Sequence, residues 1–462
     1  MGGEKCLSVL PKKLAPRSRA HFPGPPNACA TPGRVPGRRA AGVTKRSCTL
    51  VPTLALMGYV PFQPYRRVLS VPGVRPSMTL MFFARVPMTM TGVTLTLYVV
   101  SGLGRGYGAA GVVGAAVTLG MALGAPMIGR TIDRYGLRPV VAVCGLSSTA
   151  FWFAAPHLSY EALVVCALPA GVLSVPAGSL ARQILAALVP AEQRRAAYSL
   201  DTVLVEASFM IGPAAGIAAI SSLSATLTLS GIGSIFGVTA LLIFLLNPPI
   251  RNEDELAPAG TARPPLRSWL TGRLLATLLI AAGTMFCLVG TEVATLAALR
   301  SHGEVGWTGL VIAVMCAASM TGGIVHGAVR KSLPQGLLML LLALLVIPVG
   351  LATQPWWLLM LLLIPTNLLC APTLAATTES VSELAPPAVR GEAMGLQDAS
   401  TRLGLAAGSP VVGYAIDHSS PAWGFAAAGL GGLALAALGL VWSLRRSPVQ
   451  TPALAAAVRA RR

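Results

Sequence analysis

The chain has 462 residues, 54% of them hydrophobic and only 11% charged, against ~25% charged in soluble domains. So sparse a charge cannot coat a water-soluble surface, and the apolar runs are too long for a soluble core, which leaves a polytopic membrane protein. The formal net charge of +19 does not argue for a nucleic-acid partner. About ten of the 35 basic residues precede Met57 and most others fall in alternate loops, the pattern that orients membrane proteins.

Residues 1–56 are rich in Pro, Arg, Lys and Ala and lack an apolar period. They are expected to form a disordered basic leader, or to lie upstream of the true start, because they cannot bury enough surface to fold. They carry no signal-peptide pattern. From Met57 the text changes, and Tyr65-Arg66-Arg67 leads into the first long apolar run.

Run length and loop breakers predict twelve transmembrane helices. The first six span about 78–101, 109–129, 139–156, 161–186, 197–219 and 225–246. Residues 247–272 hold Asn252-Glu253-Asp254-Glu255 and Pro264-Pro265 and read as a cytoplasmic linker. The second six span about 273–298, 306–328, 335–352, 355–378, 391–415 and 421–444. The expected organisation is thus an all-α protein: a bundle over 57–246, a linker over 247–272, a second bundle over 273–445 and a basic tail over 446–462. With both termini in the cytoplasm, about 21 Lys/Arg fall on that side after Met57, whereas only Arg105 and Arg300 lie in the outer loops. That asymmetry fixes the orientation.

The most informative short stretch is Gly129-Arg130-Thr131-Ile132-Asp133-Arg134-Tyr135-Gly136-Leu137-Arg138, read as a tight turn between the second and third spans. Its glycines permit close backbone approach or positive φ, and its arginines hold it in the water layer. Asp133, an acid among bases, suits the positive end of a neighbouring helix. The expected partner is the start of the eleventh span near Gly391.

This pattern, G-x-x-x-D-R-x-G-x-R, resembles the signature loop of the major facilitator superfamily of secondary transporters. Thr131 and Leu137 depart from the usual pattern. Gly323–Lys331 resembles a worn second copy that keeps glycines and bases and lacks the acid. Gly212-Pro213-Ala214-Ala215-Gly216 in the fifth span resembles the G-P-x-x-G segment of the superfamily's drug/proton antiporters, with Ser208 and Ile217 in place of two usual glycines. The resemblance implies two six-helix bundles that rock about a midplane site, and it places Gly212, Pro213 and Gly216 on their seam. Gly129, Asp133, Arg134, Gly136 and Arg138 become the conformational loop.

Ionisable groups inside the spans carry further weight, since each is costly in hydrocarbon unless paired or facing water. Arg85 lies in the first span and Asp201 and Glu206 in the fifth, and these three are the candidates for proton coupling. Asp201 matches Arg85 in depth, while Glu206 is nearer mid-depth and suits a proton carrier. Glu292 lies in the outer part of the seventh span. Asp398 and Arg402 are four apart in the eleventh and form a structural pair. The relay arginine common at the centre of the fourth span in antiporters has no counterpart there, because Arg182 sits nearer the cytoplasmic end.

Eight cysteines are scattered without C-x-x-C, so no disulfide framework or metal site is indicated. No G-x-x-x-x-G-K-[ST] occurs, which argues against an ATP-driven pump, and no nucleophile–base set suggests an enzyme. The reading is a monomeric multi-pass transporter in a bacterial cytoplasmic membrane, without cofactor. It exchanges protons for a small apolar compound, exported by alternating access. An importer of a polar metabolite on the same fold and a non-transporting membrane sensor are the alternatives.

Overall fold

The computed structural model describes residues 62–251, 264–329 and 331–445. The leader over 1–56, most of the linker and the tail from 446 lie outside the described residues. The described residues are helical throughout, without strands. A short entry helix, α1 (Gln63–Ser70), precedes α2 (Val74–Leu97), α3 (Tyr107–Tyr135), α4 (Leu137–Ala154), α5 (Tyr160–Val172), α6 (Ala177–Leu188), α7 (Arg194–Ser222) and α8 (Ala225–Leu246). After a single turn, α9 (Leu266–Trp269), come α10 (Gly272–Ser301), α11 (Thr308–Ala328), α12 (Gln335–Val346), α13 (Trp356–Asn367), α14 (Cys370–Leu384), α15 (Arg390–Asp417) and α16 (Pro421–Arg445).

Among the described residues, ten helical segments are long and apolar enough to cross a membrane. Two of the twelve expected spans fall short. The segment Gln335–Leu351 is apolar but shorter, and α15 is long enough but carries Arg390, Glu392, Asp398, Arg402 and Asp417. Both exist as helices, and the charges on α15 are the reason it reads weakly as a span.

The fourth and tenth expected spans are each broken. The fourth divides into α5 and α6 around Leu173–Pro176, and the tenth into α13 and α14 around Leu368–Leu369. Pro169 and Pro365 sit inside the helices just before the breaks, where a proline removes a backbone donor and pushes against the preceding turn. That the breaks fall at matching places in the two halves follows from matching sequence punctuation.

The 129–138 stretch differs from the expected turn. Helix α3 runs on through Tyr135, and the chain reverses at Gly136 alone, whose φ of 84° is a backbone conformation that residues with a side chain rarely adopt. Arg130, Thr131, Asp133 and Arg134 therefore stand on a regular helical surface, so Gly129 and Asp133, four apart, present one face.

Within the first half, α3 and α5 cross backbone to backbone: a Cβ on Gly120 would collide with the Leu168 carbonyl, and one on Gly171 with that of Val117. We expect Gly120→Val to destabilise the protein by about 1–3 kcal/mol or more through overpacking. Gly114→Val on the same helix should change little, because nothing lies within 4 Å of that position. Thermal unfolding in detergent compares the two.

Candidate functional site

The two halves meet mainly through α3 against α15 and α7 against α11 and α14. These contacts gather at one end of the bundle, the end that carries Gly136.

Helix α15 begins without a cap of its own, since its N-cap residue is Val389 and no side chain there accepts a hydrogen bond. Its first amide groups are therefore orphan donors, and Asp133 satisfies them from the opposite half. Oδ1 accepts from the Gly391 amide at 3.2 Å and Oδ2 from the Glu392 amide at 2.9 Å. A cap of this kind is worth ~0.5–2 kcal/mol, and the carboxylate also meets the positive end of the helix dipole. Close approach is possible because both helices present glycine: a Cβ on Gly129 would collide with the Gly391 carbonyl, and one on Gly391 would lie 2.5 Å from Asp133 Oδ1. Arg251, just after α8, completes the lock. Its guanidinium donates to the Asp133 carbonyl at 2.7 Å and to that of Ala388 at 3.4 Å, and stands 3.6 Å from Asp133 Oδ1.

Two further ties close the same end. Arg195 of α7 forms a two-point ion pair with Glu379 of α14, at 3.1 and 3.4 Å. The Tyr65 hydroxyl of α1 donates to the Ile324 carbonyl of α11, and Gly327, one turn on, leaves room for that ring and for Ser199. The worn copy of the loop thus does on α11, against α7, what Gly129 does on α3, against α15. Arg134 and Arg138 take no part in these ties. Arg134 lies over the Tyr135 ring, and Arg138 donates to the Phe244 carbonyl within its own half.

Deeper in, charged side chains form a chain that reaches the seam. Arg85 of α2 pairs with Asp201 of α7 at 2.8 Å, both almost fully buried, and Arg182 of α6 stands 4.0 Å from the other Asp201 oxygen. Gly178, one turn before Arg182 on the same face of α6, would place a Cβ 3.2 Å from Asp398 Oδ1. Asp398 in turn accepts from Arg402 Nε at 2.8 Å. The expected Asp398–Arg402 pair is therefore present, and it also abuts the first half.

Glu206 is separate from this chain. Five residues beyond Asp201 on α7 means a rotation of about 140° around the helix, so it faces α11 and not α2. Its Oε1 accepts from the Ser319 hydroxyl at 2.8 Å, and it is 8% exposed. The sequence allowed Arg85 to reach either acid of the fifth span; Arg85 meets Asp201, and no cation pairs with Glu206 among the described residues. Glu292 of α10 lies near enough for its charge and that of Glu206 to interact.

Gly212 and Gly216 face α2, inside the first half. A Cβ on Gly212 would collide with Thr89 Oγ1 and one on Gly216 would lie 3.0 Å from Thr94 Cγ2, while α7 continues through Pro213 without a break. Their placement is therefore within the bundle and not on the seam. Gly408 of α15 likewise meets Val289 and Phe286 of α10.

The sequence profile of the Major Facilitator Superfamily matches residues 78–334 and 326–460, nearly all of the chain beyond the leader. The chain belongs to the Major Facilitator Superfamily. A search of curated proteins found no significant match. Among solved structures, the human organic anion transporter MFSD10 (TETRAN) is similar at a TM-score of 0.63 and 18% identity, covering 80% of this chain and 100% of that one. A bacterial homologue of the iron transporter ferroportin, in an outward-facing state, matches at 0.62 and 13%, covering 80% and 99%. The proton:xylose symporter XylE bound to 6-bromo-6-deoxy-D-glucose matches at 0.61 and 14%, covering 82% and 96%. At these identities the likeness is one of fold.

As in any superfamily transporter, function resides in side chains on that shared fold. Four residues of the seam were not singled out by sequence. Arg251 sat in what read as linker, Arg195 and Glu379 sat at helix ends among ordinary loop charges, and Ser319 was one hydroxyl among many. Arg182 stands out in the sequence only by its distance from the centre of the fourth span. Its spacing of four from Gly178 was the signal available.

Proposed function

We propose that this superfamily member is a proton-coupled transporter that exports a small, mainly apolar compound by alternating access. In this reading the chain crosses a bacterial cytoplasmic membrane twelve times, with α12 and α15 as the two weaker crossings. Both termini and the Gly136 end are cytoplasmic, and the working unit is the monomer. The conformation described is then closed towards the cytoplasm.

The observation that carries proton coupling is Glu206, a buried carboxylate at mid-depth between the halves, held by a hydroxyl and by no cation. A charged carboxylate there is costly, so binding and release of a proton is the inexpensive way to visit it from alternate sides. The contact with Ser319 crosses the seam, so rocking the halves apart breaks it and changes the acid's surroundings. The apolar nature of the cargo is supported by the sparse polar lining of the central helices, chiefly Thr91, Ser174, Asn367 and Thr373.

Everted membrane vesicles test the proposal. An imposed ΔpH should be dissipated on addition of a compound from an apolar panel, and vesicles without the protein should not respond. Dissipation only by polar metabolites would favour the importer, and silence across both panels would favour a sensor.

A further inference from the structure

Along the charged chain that reaches the seam, guanidiniums outnumber carboxylates. The chain that runs from α2 through α7 and α6 to α15 contains three guanidiniums, Arg85, Arg182 and Arg402, and two carboxylates, Asp201 and Asp398. Glu206 is not a member of this chain: it faces α11, where its Oε1 accepts from the Ser319 hydroxyl. The donors are under-satisfied as well. Arg85, 5% exposed, holds Asp201 Oδ1 through Nη2 at 2.8 Å, yet its Nε and Nη1 make no hydrogen bond, and Arg182 Nη1 makes none. A guanidinium has five donors and no acceptor, so such a set calls for additional acceptor oxygens.

The place where acceptors can enter is the far end of the chain. Along α3, Gly129, Ala125 and Met121 follow helical spacing and meet α15 at Gly391, Gly395 and Arg402 in turn. The last of these contacts is Arg402 Nη1 against the Met121 sulfur at 3.2 Å, a weak acceptor for a cation. Further along, a Cβ added to Gly114 of α3 or to Gly413 of α15 would meet no neighbouring element within 4 Å. Arg402 thus stands where the halves part, 23% exposed, with the surplus charge behind it and apolar Met121 beside it.

We infer that the transported compound is an organic anion, an apolar body carrying a single negative group that binds Arg402 at the floor of the cleft between the halves. Carboxylates and sulfonates fit planar, two-point guanidinium recognition. Arg182 and Arg85 behind Arg402 make the site favourable to one negative charge and unfavourable to a cation. The inference rests on the transport reading of the same cleft, but its test is equilibrium binding, which does not require coupling to protons.

The purified full chain in phosphatidylcholine nanodiscs is titrated with octanoate, octanol and octylamine, following heat release. Octanoate should bind at least about tenfold more tightly than octanol, and octylamine should not bind. Arg402→Gln should lower octanoate affinity about tenfold or more, and Arg402→Lys by less. Because Arg402→Gln leaves Asp398 unpaired, the double variant Arg402→Gln/Asp398→Asn is the second arm. It should fold as the parent does and still fail to recover octanoate affinity. Repeating the titration with phosphatidylglycerol in the disc separates the sources of the anion: competition by the lipid would assign the site to a headgroup and overturn the cargo assignment. Tight binding of octylamine, or full octanoate affinity in the double variant, would overturn the inference outright.

Discussion

Glu206→Gln is expected to abolish ΔpH-driven transport while leaving the protein inserted and folded. The amide is nearly the same size as the acid and can still accept from Ser319 through its oxygen, so the 2.8 Å contact across the seam is preserved and only the exchangeable proton is lost. A fall of at least about 100-fold in ΔpH-driven flux is expected in proteoliposomes, with size-exclusion behaviour unchanged. Flux with the parent's pH dependence in the Gln variant would show that Glu206 is only a satisfied interhelical hydrogen bond. Asp201→Asn makes a contrasting case. Asp201 serves Arg85 and Arg182 together, and removing it leaves two guanidiniums without their carboxylate in a nearly dry site. Breaking a buried pair by deleting one member costs ~3–5 kcal/mol. Asp201→Asn should therefore show first as poor yield and early thermal unfolding, whereas Glu206→Gln should show as a coupling defect in a stable protein.

That contrast marks what could be read along the chain and what could not. Apolar run length gave the succession of helices, and the position of Asp133 among arginines gave its attraction to a helix start, because both are local signals. Asp398 and Arg402 paired as their spacing of four required. What stayed hidden was direction around a helix once several neighbours compete. Nothing local says that Asp201 turns to α2 and α6 while Glu206 turns to α11, or that Gly212 and Gly216 pack inside the first half. The extent of α3 is hidden for a different reason. Gly129 and Gly136 look alike in sequence, but Gly129 is a helical residue kept small by Gly391, 262 positions away, and only Gly136 makes a turn. Arg251 and the Arg195–Glu379 pair were illegible because loop charges in a membrane protein are already accounted for by orientation.

Releasing the Asp133 lock is the other change with a large expected effect. At this end α15 depends on the first half for its cap, so the conformation with the halves together gains two charge-assisted hydrogen bonds that the parted conformation lacks. Asp133→Asn removes the charge and one of the two acceptors, and Asp133→Ala removes both. A loss of ~1–2 kcal/mol shifts a two-state equilibrium by a factor of about 5–30, enough to convert a mainly closed end into a mixture. Gly391→Leu acts on the same contact by sterics: its side chain would occupy the space of Asp133 and the Gly129 carbonyl, so the helices could not close at all. Spin labels on Thr131 and Glu383, on opposite halves at this end and in a cysteine-free background, report the outcome as a distance distribution. We expect a single short distance in the parent, a second and longer population in Asp133→Asn, more of it in Asp133→Ala, and only the long one in Gly391→Leu. Transport should fall in that order, since a protein that cannot close one side cannot complete a cycle. Unchanged distances in Asp133→Ala would mean that Arg251, Arg195–Glu379 and Tyr65 hold the end without it, and that the signature acid acts elsewhere in the cycle.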